Sequence, residues 1–319
     1  MMQISLTAEG MFGLNWPRWK ALIDAAEQAG FYGLYYSDHF VFANGPDTDS
    51  LEVYTALTYL ADHSKRLHLG TMVSPLSFRD PVIAARQAMA INDLSGGRMI
   101  LGLGAGWNER EHNMFGYKLV DIKARMDRLE EGLKVITQLT RNENPVTFEG
   151  QYYQLHEAVL SPHSKPPLRI LIGGSGKPRN LLLTARYADV WNVQGVTPDE
   201  VRERNTQLDD LLIKEGRKPS DVKRTLTRSI VCWRDDAELD KVANAYRRVV
   251  QIPLPADNAE FARVVKENFG ALTGTPEQIV PELKAYEAAG IEEVMLQYLP
   301  VDGLELLEAI AGSLLPAFQ

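Results

Sequence analysis

A chain of 319 residues with 45% hydrophobic and 24% charged residues is long enough for a large α/β fold and too apolar for disorder. Its 34 basic and 42 acidic residues give a formal charge of −8 with no long basic run, which makes nucleic acid and anionic membranes poor partners. No signal-like N-terminus or membrane-length apolar run is present, and the single Cys232 can build neither an intrachain disulfide nor a thiolate metal site, so the sequence reads as soluble and cytoplasmic.

Short β-branched or apolar runs alternate with longer amphipathic segments. A strand at 4–6 precedes a helix over 16–29, which Gly30 stops. A second strand at 33–36 leads to a helix near 51–63, and a third at 66–70 leads to a helix over 81–94 that opens on Pro81. The segment 98–112, RMILGLGAGWNEREH, supplies a fourth strand and a glycine-rich loop, before a charged helix over 121–140.

A fifth strand at 169–172 runs through Gly173, Gly174, Ser175 and Gly176 into a helix over 178–187. The sixth, at 189–193, precedes a helix over 198–215. The seventh spans 225–233, and its helix begins at Thr275-Pro276. The eighth, at 292–297, leads to a last helix over 303–315. Eight such units predict a (β/α)8 TIM barrel forming one domain over 1–319. Two insertions are expected: a β-hairpin at 146–155 and a helical excursion over 235–270.

In such barrels reactive groups gather at the C-terminal strand ends. The second strand ends in Asp38 and His39, a proton-exchanging pair or simply a structural Asp-His turn. The third runs into Gly70-Thr71-Met72-Val73-Ser74-Pro75, a bent backbone that reads first as a plain structural bulge and otherwise as a surface for a planar ring. At the fourth, Gly102, Gly104 and Gly106 precede Trp107, Asn108, Glu109 and His112. Trp107 stands where a dinucleotide fingerprint would require its third glycine. At the fifth, Lys177 and Arg179 flank Pro178 at a helix start, two cations whose presence there fits a bound phosphate. No nucleophile motif and no metal-ligand set is evident. A bound redox cofactor suits the combination.

SDHF at 37–40, GTMVSP at 70–75, SGGRMILGLGAGWNEREH at 95–112 and LIGGSGKPRNLLLTARYADVWN at 171–192 together resemble the bacterial luciferase-like flavin and deazaflavin oxidoreductases. The likeness covers about 1–216 and continues more weakly to the C-terminus, and it is strongest to the branch that uses coenzyme F420. The resemblance implies a ring held at the barrel mouth against a bulge at Met72, Val73 and Ser74, with a non-proline cis peptide between Met72 and Val73. It further implies a cofactor phosphate on Gly173, Gly174, Ser175 and Gly176 near Lys177 and Arg179. Asp38 would touch the ring, and Gly104, Gly106, Trp107 and Asn108 would form the adjoining wall.

His39 and Glu109 would then handle protons during hydride transfer between F420 and a small organic substrate. An FMN-dependent monooxygenase using molecular oxygen is the alternative, followed by a non-enzymatic flavin-binding relative. The sugar-phosphate dehydrogenase branch carries a Trp four residues after the equivalent His, where this chain has Ala43, which disfavours glucose 6-phosphate. Family analogy alone suggests a homodimer, and the helical face over 127–136 fits either the barrel or a second subunit.

Overall fold

The computed structural model describes residues 1–174, 176–250, 253–299 and 304–318. Strand β1 (Gln3–Ala8) is followed by α1 (Trp16–Ala29), capped by the Asn15 side chain and ended by Gly30 at φ 94°. Next come β2 (Gly33–Tyr36), α2 (Val53–His63), β3 (His68–Thr71) and a two-residue β4 (Ser74–Pro75). Helix α3 (Pro81–Leu94) starts on Pro81 beneath an Asp80 cap. Then follow β5 (Met99–Gly104), α4 (Glu109–Met114), α5 (Ile122–Arg141) and the hairpin of β6 (Val146–Glu149) with β7 (Gln154–Ala158).

The second half contains β8 (Arg169–Gly173), α6 (Pro178–Tyr187), β9 (Val190–Gln194), α7 (Pro198–Lys214) and β10 (Lys223–Cys232). It ends with α8 (Asp236–Val250), α9 (Asn258–Phe269), β11 (Leu272–Gly274), α10 (Pro276–Ala288), β12 (Glu293–Gln297) and α11 (Leu304–Leu314).

Eight of these strands pair in parallel in the order β1, β2, β3, β5, β8, β9, β10, β12, and β12 returns to β1, closing the barrel. Inside it Tyr35, Ile100, Leu171, Val190 and Met295 pack together, so the lumen is a filled core rather than a pore. A larger core joins the outer barrel surface to the helices, with Trp19, Phe31, Leu133 and Trp191 fully buried in it.

The expected (β/α)8 order, the hairpin and the helical excursion are all present. Three short elements were not anticipated. Strand β4 pairs with the end of β5, β11 pairs with the end of β10, and 109–114 is helical where a loop was expected. The face of α5 with two candidate partners packs on its own barrel, with Leu129, Leu133 and Ile136 buried. Among the described residues, no helix is long and apolar enough to cross a membrane.

Candidate active site

A cavity of about 780 Å³ opens at the C-terminal ends of the barrel strands. Its walls include Met72, Val73, Gly104, Gly106, Trp107, Gly173 and Gly174. The Met72–Val73 peptide is cis, as the resemblance implied. The neighbouring glycines make this bulge possible. A Cβ on Gly102 would lie 2.0 Å from the Thr71 carbonyl oxygen, and one on Gly104 would lie 2.7 Å from Val73 Cγ2. A Cβ on Gly173 would stand 3.0 Å from Val73 Cγ1, while Gly106, at φ 81°, faces Ser77 at 2.1 Å. The room these glycines leave is therefore taken first by the protein's own bulge, which becomes an apolar floor continued by Met126 and Leu129.

His39 lies on one wall, and its acidic partner is not the expected one. Its Nδ1 bonds both carboxylate oxygens of Glu111, at 3.1 and 3.2 Å, and Glu111 is 1% exposed. The same carboxylate accepts the Phe40 N–H at 3.0 Å. Glu109 is exposed and does not line the cavity. The reason is helical phase. Asn108 caps α4 through the Glu111 N–H, so 109 is the first helical residue, and about 100° per residue turns 111 to the opposite side. Asn108 is itself buried and donates to the Val41 carbonyl, so it braces the wall without forming it.

Because a carboxylate only accepts, Nδ1 carries the proton, and Nε2 of this cavity-lining ring has no hydrogen-bond partner among the described residues. Burial of the ring lowers the His39 pKa. The hydrogen bond and charge of Glu111, aided by Glu9 and Asp38, overcome this and leave it raised above the ordinary value.

Asp38 is also turned away from its expected role. Its carboxyl, 2% exposed, accepts from Arg79 Nε at 2.8 Å, Arg79 Nη2 at 2.6 Å and Ser74 Oγ at 2.7 Å. Tyr54 in turn donates to Ser74. Neither Asp38 nor Ser74 lines the cavity; they tie the loop after β2 to the bulge after β3. Burial pushes the Asp38 carboxyl up despite these bonds, while its contact with Arg79 keeps the guanidinium protonated.

Across the mouth, Gly173, Gly174, Lys177 and Arg179 line the cavity beside the start of α6; Ser175 is outside the described residues. Gly176 adopts φ 71°, where a Cβ would press on the Arg204 side chain. The N-cap residue Lys177 makes no side-chain cap bond, so among the described residues the first N–H groups of α6 remain available to an anion. Arg179 is held by Asp127 and, at 3.1 Å, by Glu130. Among the described residues, two buried atoms at the cavity lack partners, Ser37 Oγ and Asn180 Oδ1. An apolar floor, an uncapped helix start with two cations and unfilled polar positions fit a planar group bearing a phosphate. Among the described residues no group of three or more His, Cys, Asp or Glu could hold a metal.

Sequence reasoning missed Glu111, Arg79, Glu9 and Gln297. Only Glu111 had a local signal, since an Asn three residues ahead of a Glu is a helix-start spacing. The others are brought in by strands and loops distant in sequence.

A family model described as luciferase-like monooxygenase matches residues 3–293. An F420-dependent glucose-6-phosphate dehydrogenase of Amycolatopsis mediterranei is 26% identical over 315 residues, covering 92% of each chain. An F420-dependent secondary alcohol dehydrogenase, solved with an F420-acetone adduct, superposes with a TM-score of 0.82 at 21% identity, covering 100% of this chain and 99% of its own. A monooxygenase from Streptomyces bottropensis superposes at 0.81 and 20% identity, covering 100% of both chains.

Proposed function

The chain belongs to the luciferase-like monooxygenase family, and from that premise we propose that it transfers a hydride between coenzyme F420 and a small organic substrate. The observation that carries this reading is the orientation of His39. Its Nδ1 is held by a buried carboxylate while the ring lines a cavity floored by the Met72–Val73 bulge, which leaves Nε2 as the nitrogen for proton exchange. That arrangement suits a general acid/base beside a flat redox group.

The floor and the Gly173, Gly174, Lys177 and Arg179 end would hold the cofactor, ring against the bulge and phosphate at the start of α6. Bound F420 supplies two-electron hydride chemistry. The chain's own residues supply the rest. His39 Nε2 takes the hydroxyl proton as an alcohol carbon loses hydride, or returns it as a carbonyl carbon gains one. Glu111 keeps the ring in the tautomer this requires and offsets the imidazolium charge. The apolar floor excludes water from that face.

Fluorescence titration of the cofactor-free protein with F420 and with FMN tests the proposal. Saturable F420 binding, followed by substrate-dependent change in the deazaflavin absorbance, is expected. FMN binding without F420 binding would move the chain to the oxygen-using monooxygenases instead.

A further inference from the structure

Three buried polar atoms without a hydrogen-bond partner among the described residues gather around the glycine turn between β8 and α6: Asn180 Oδ1, Trp191 Nε1 and Arg204 Nη1. A Cβ on Gly174 would lie 2.5 Å from Asn180 Nδ2, and one on Gly176 would lie 2.8 Å from Arg204 Cδ and 3.1 Å from Trp191 Cζ2. The indole N–H belongs to the same edge of the ring as Cζ2. Asn180 lines the cavity and is turned by its bond to the Gly173 carbonyl at 3.2 Å, which leaves Oδ1 open. Arg204, from α7, and Trp191, from β9, pack against Gly176 without lining the cavity themselves.

Of the cations at this end, Arg204 is the one whose charge is least spent. Its side chain is 21% exposed, and its ion pair among the described residues is Nη2 to Glu200 Oε1 at 3.4 Å. Glu200 is itself 45% exposed, and its other oxygen accepts the Thr197 N–H at 2.7 Å at the start of α7. Lys177, by contrast, is exposed to water, and Arg179 is shared between Asp127 and Glu130. A guanidinium stays charged at any working pH, so a mostly buried one with an open Nη1 is incomplete until an acceptor comes near. The buried Trp191 N–H beside it has the same need. Two open donors and one weakly matched cation behind a single glycine, with the α6 N–H groups in front, call for an anion.

We propose that Arg204 is a positioning residue for the cofactor's phosphate. Its stem and the Trp191 ring hold Gly176 at φ 71°, which directs the N–H groups of the turn, and its buried charge draws the phosphate onto them. The assignment rests on the reading of a phosphate-bearing redox cofactor, and it names the residue that separates such a cofactor from its phosphate-free form.

The test compares each cofactor with that form: F420 with phosphate-free deazariboflavin, and FMN with riboflavin. Dissociation constants come from fluorescence titration of the parent, Arg204→Met, Arg204→Lys and Lys214→Met. The last removes an equal charge from an exposed position about 15 Å along the same helix. Failure of the F420 reading shows in the parent, where only the FMN pair then binds and carries the comparison. The parent is expected to hold the phosphate-bearing form at least about tenfold more tightly, and Arg204→Met should cut that preference by about tenfold. Affinity for the phosphate-free form should change by less than about twofold, and the cut should persist in about 0.5 M salt because the charge is buried. Arg204→Lys should cut the preference by only about threefold, and it carries the comparison if Arg204→Met does not fold. An unchanged preference, equal losses for both forms, as large a fall in Lys214→Met, or a parent that binds none of the four overturns the proposal.

Discussion

His39 Nδ1 lies 3.1 Å from the Glu111 carboxylate, a contact made by a residue one half-turn of helix away from the acid first expected there. Because Glu111 raises the ring's pKa above its ordinary 6.5, the charged ring favours the folded state. That stabilisation is complete below the unfolded pKa and is lost as pH rises through the folded one, so its window opens near pH 6.5 and extends upward. Glu111→Gln should shift the His39 limb of a pH-rate profile to lower pH and remove this part of the stability-pH dependence. His39→Ala should lower turnover by about 10²–10⁴-fold with F420 affinity little changed. A limb that does not move in Glu111→Gln would mean another group titrates there.

Arg79 and Asp38 form a second pair, and its role is to hold loops together. Arg79→Met leaves a carboxyl that is 2% exposed without its guanidinium, and should cost about 3–5 kcal/mol in thermal or urea unfolding. The doubly substituted protein, with Asp38→Asn added, should recover much of that loss because no charge is stranded. If the two single effects simply add, the pair is not coupled.

These two pairs mark the limit of what the sequence made legible. Helices 81–94 and 178–187 could be bounded because a proline at the first helical position carries local information, and Gly30 did the same for the end of 16–29. The (β/α)8 order followed from repetition. Helix α4 has only six residues, too few to show a period, so the choice between Glu109 and Glu111 could not be made from spacing alone. Arg79 meets Asp38 across 41 residues, and Gln297 meets Glu9 across 288. The first contact is set by the loops after the neighbouring strands β2 and β3 and the second by the closure of β12 on β1, and neither leaves a local pattern.

Gly102 offers a sharp test of the floor. Its added Cβ would sit 2.0 Å from a backbone oxygen of β3, which cannot rotate away as a side chain can. Gly102→Ala should therefore spread β3 from β5, lowering unfolding stability by about 1–3 kcal/mol or more, and weaken cofactor binding by displacing Met72 and Val73. Gly104→Ala meets a valine methyl at 2.7 Å and should be milder in stability. Equal stability of Gly102→Ala and the parent in urea would contradict the close strand approach.

The last prediction concerns the cation end, where the paired residue should matter more than the free one. Lys177 is exposed and makes no ion pair among the described residues, so Lys177→Met should weaken binding of a phosphate-bearing cofactor by only about tenfold, an effect that fades with added salt. Arg179 instead joins α6 to Asp127 and Glu130. Arg179→Met removes one cation and also leaves two carboxylates partly uncompensated, since Lys123 reaches Asp127 at 2.8 Å and Lys134 reaches Glu130 at 3.5 Å. The net change at the phosphate is larger than one charge. Arg179→Met should therefore lose more affinity than Lys177→Met, and adding Asp127→Asn should restore part of it. Fluorescence titrations of the three variants at low and high salt decide the order, and a greater loss in Lys177→Met would reverse the assignment of these two cations.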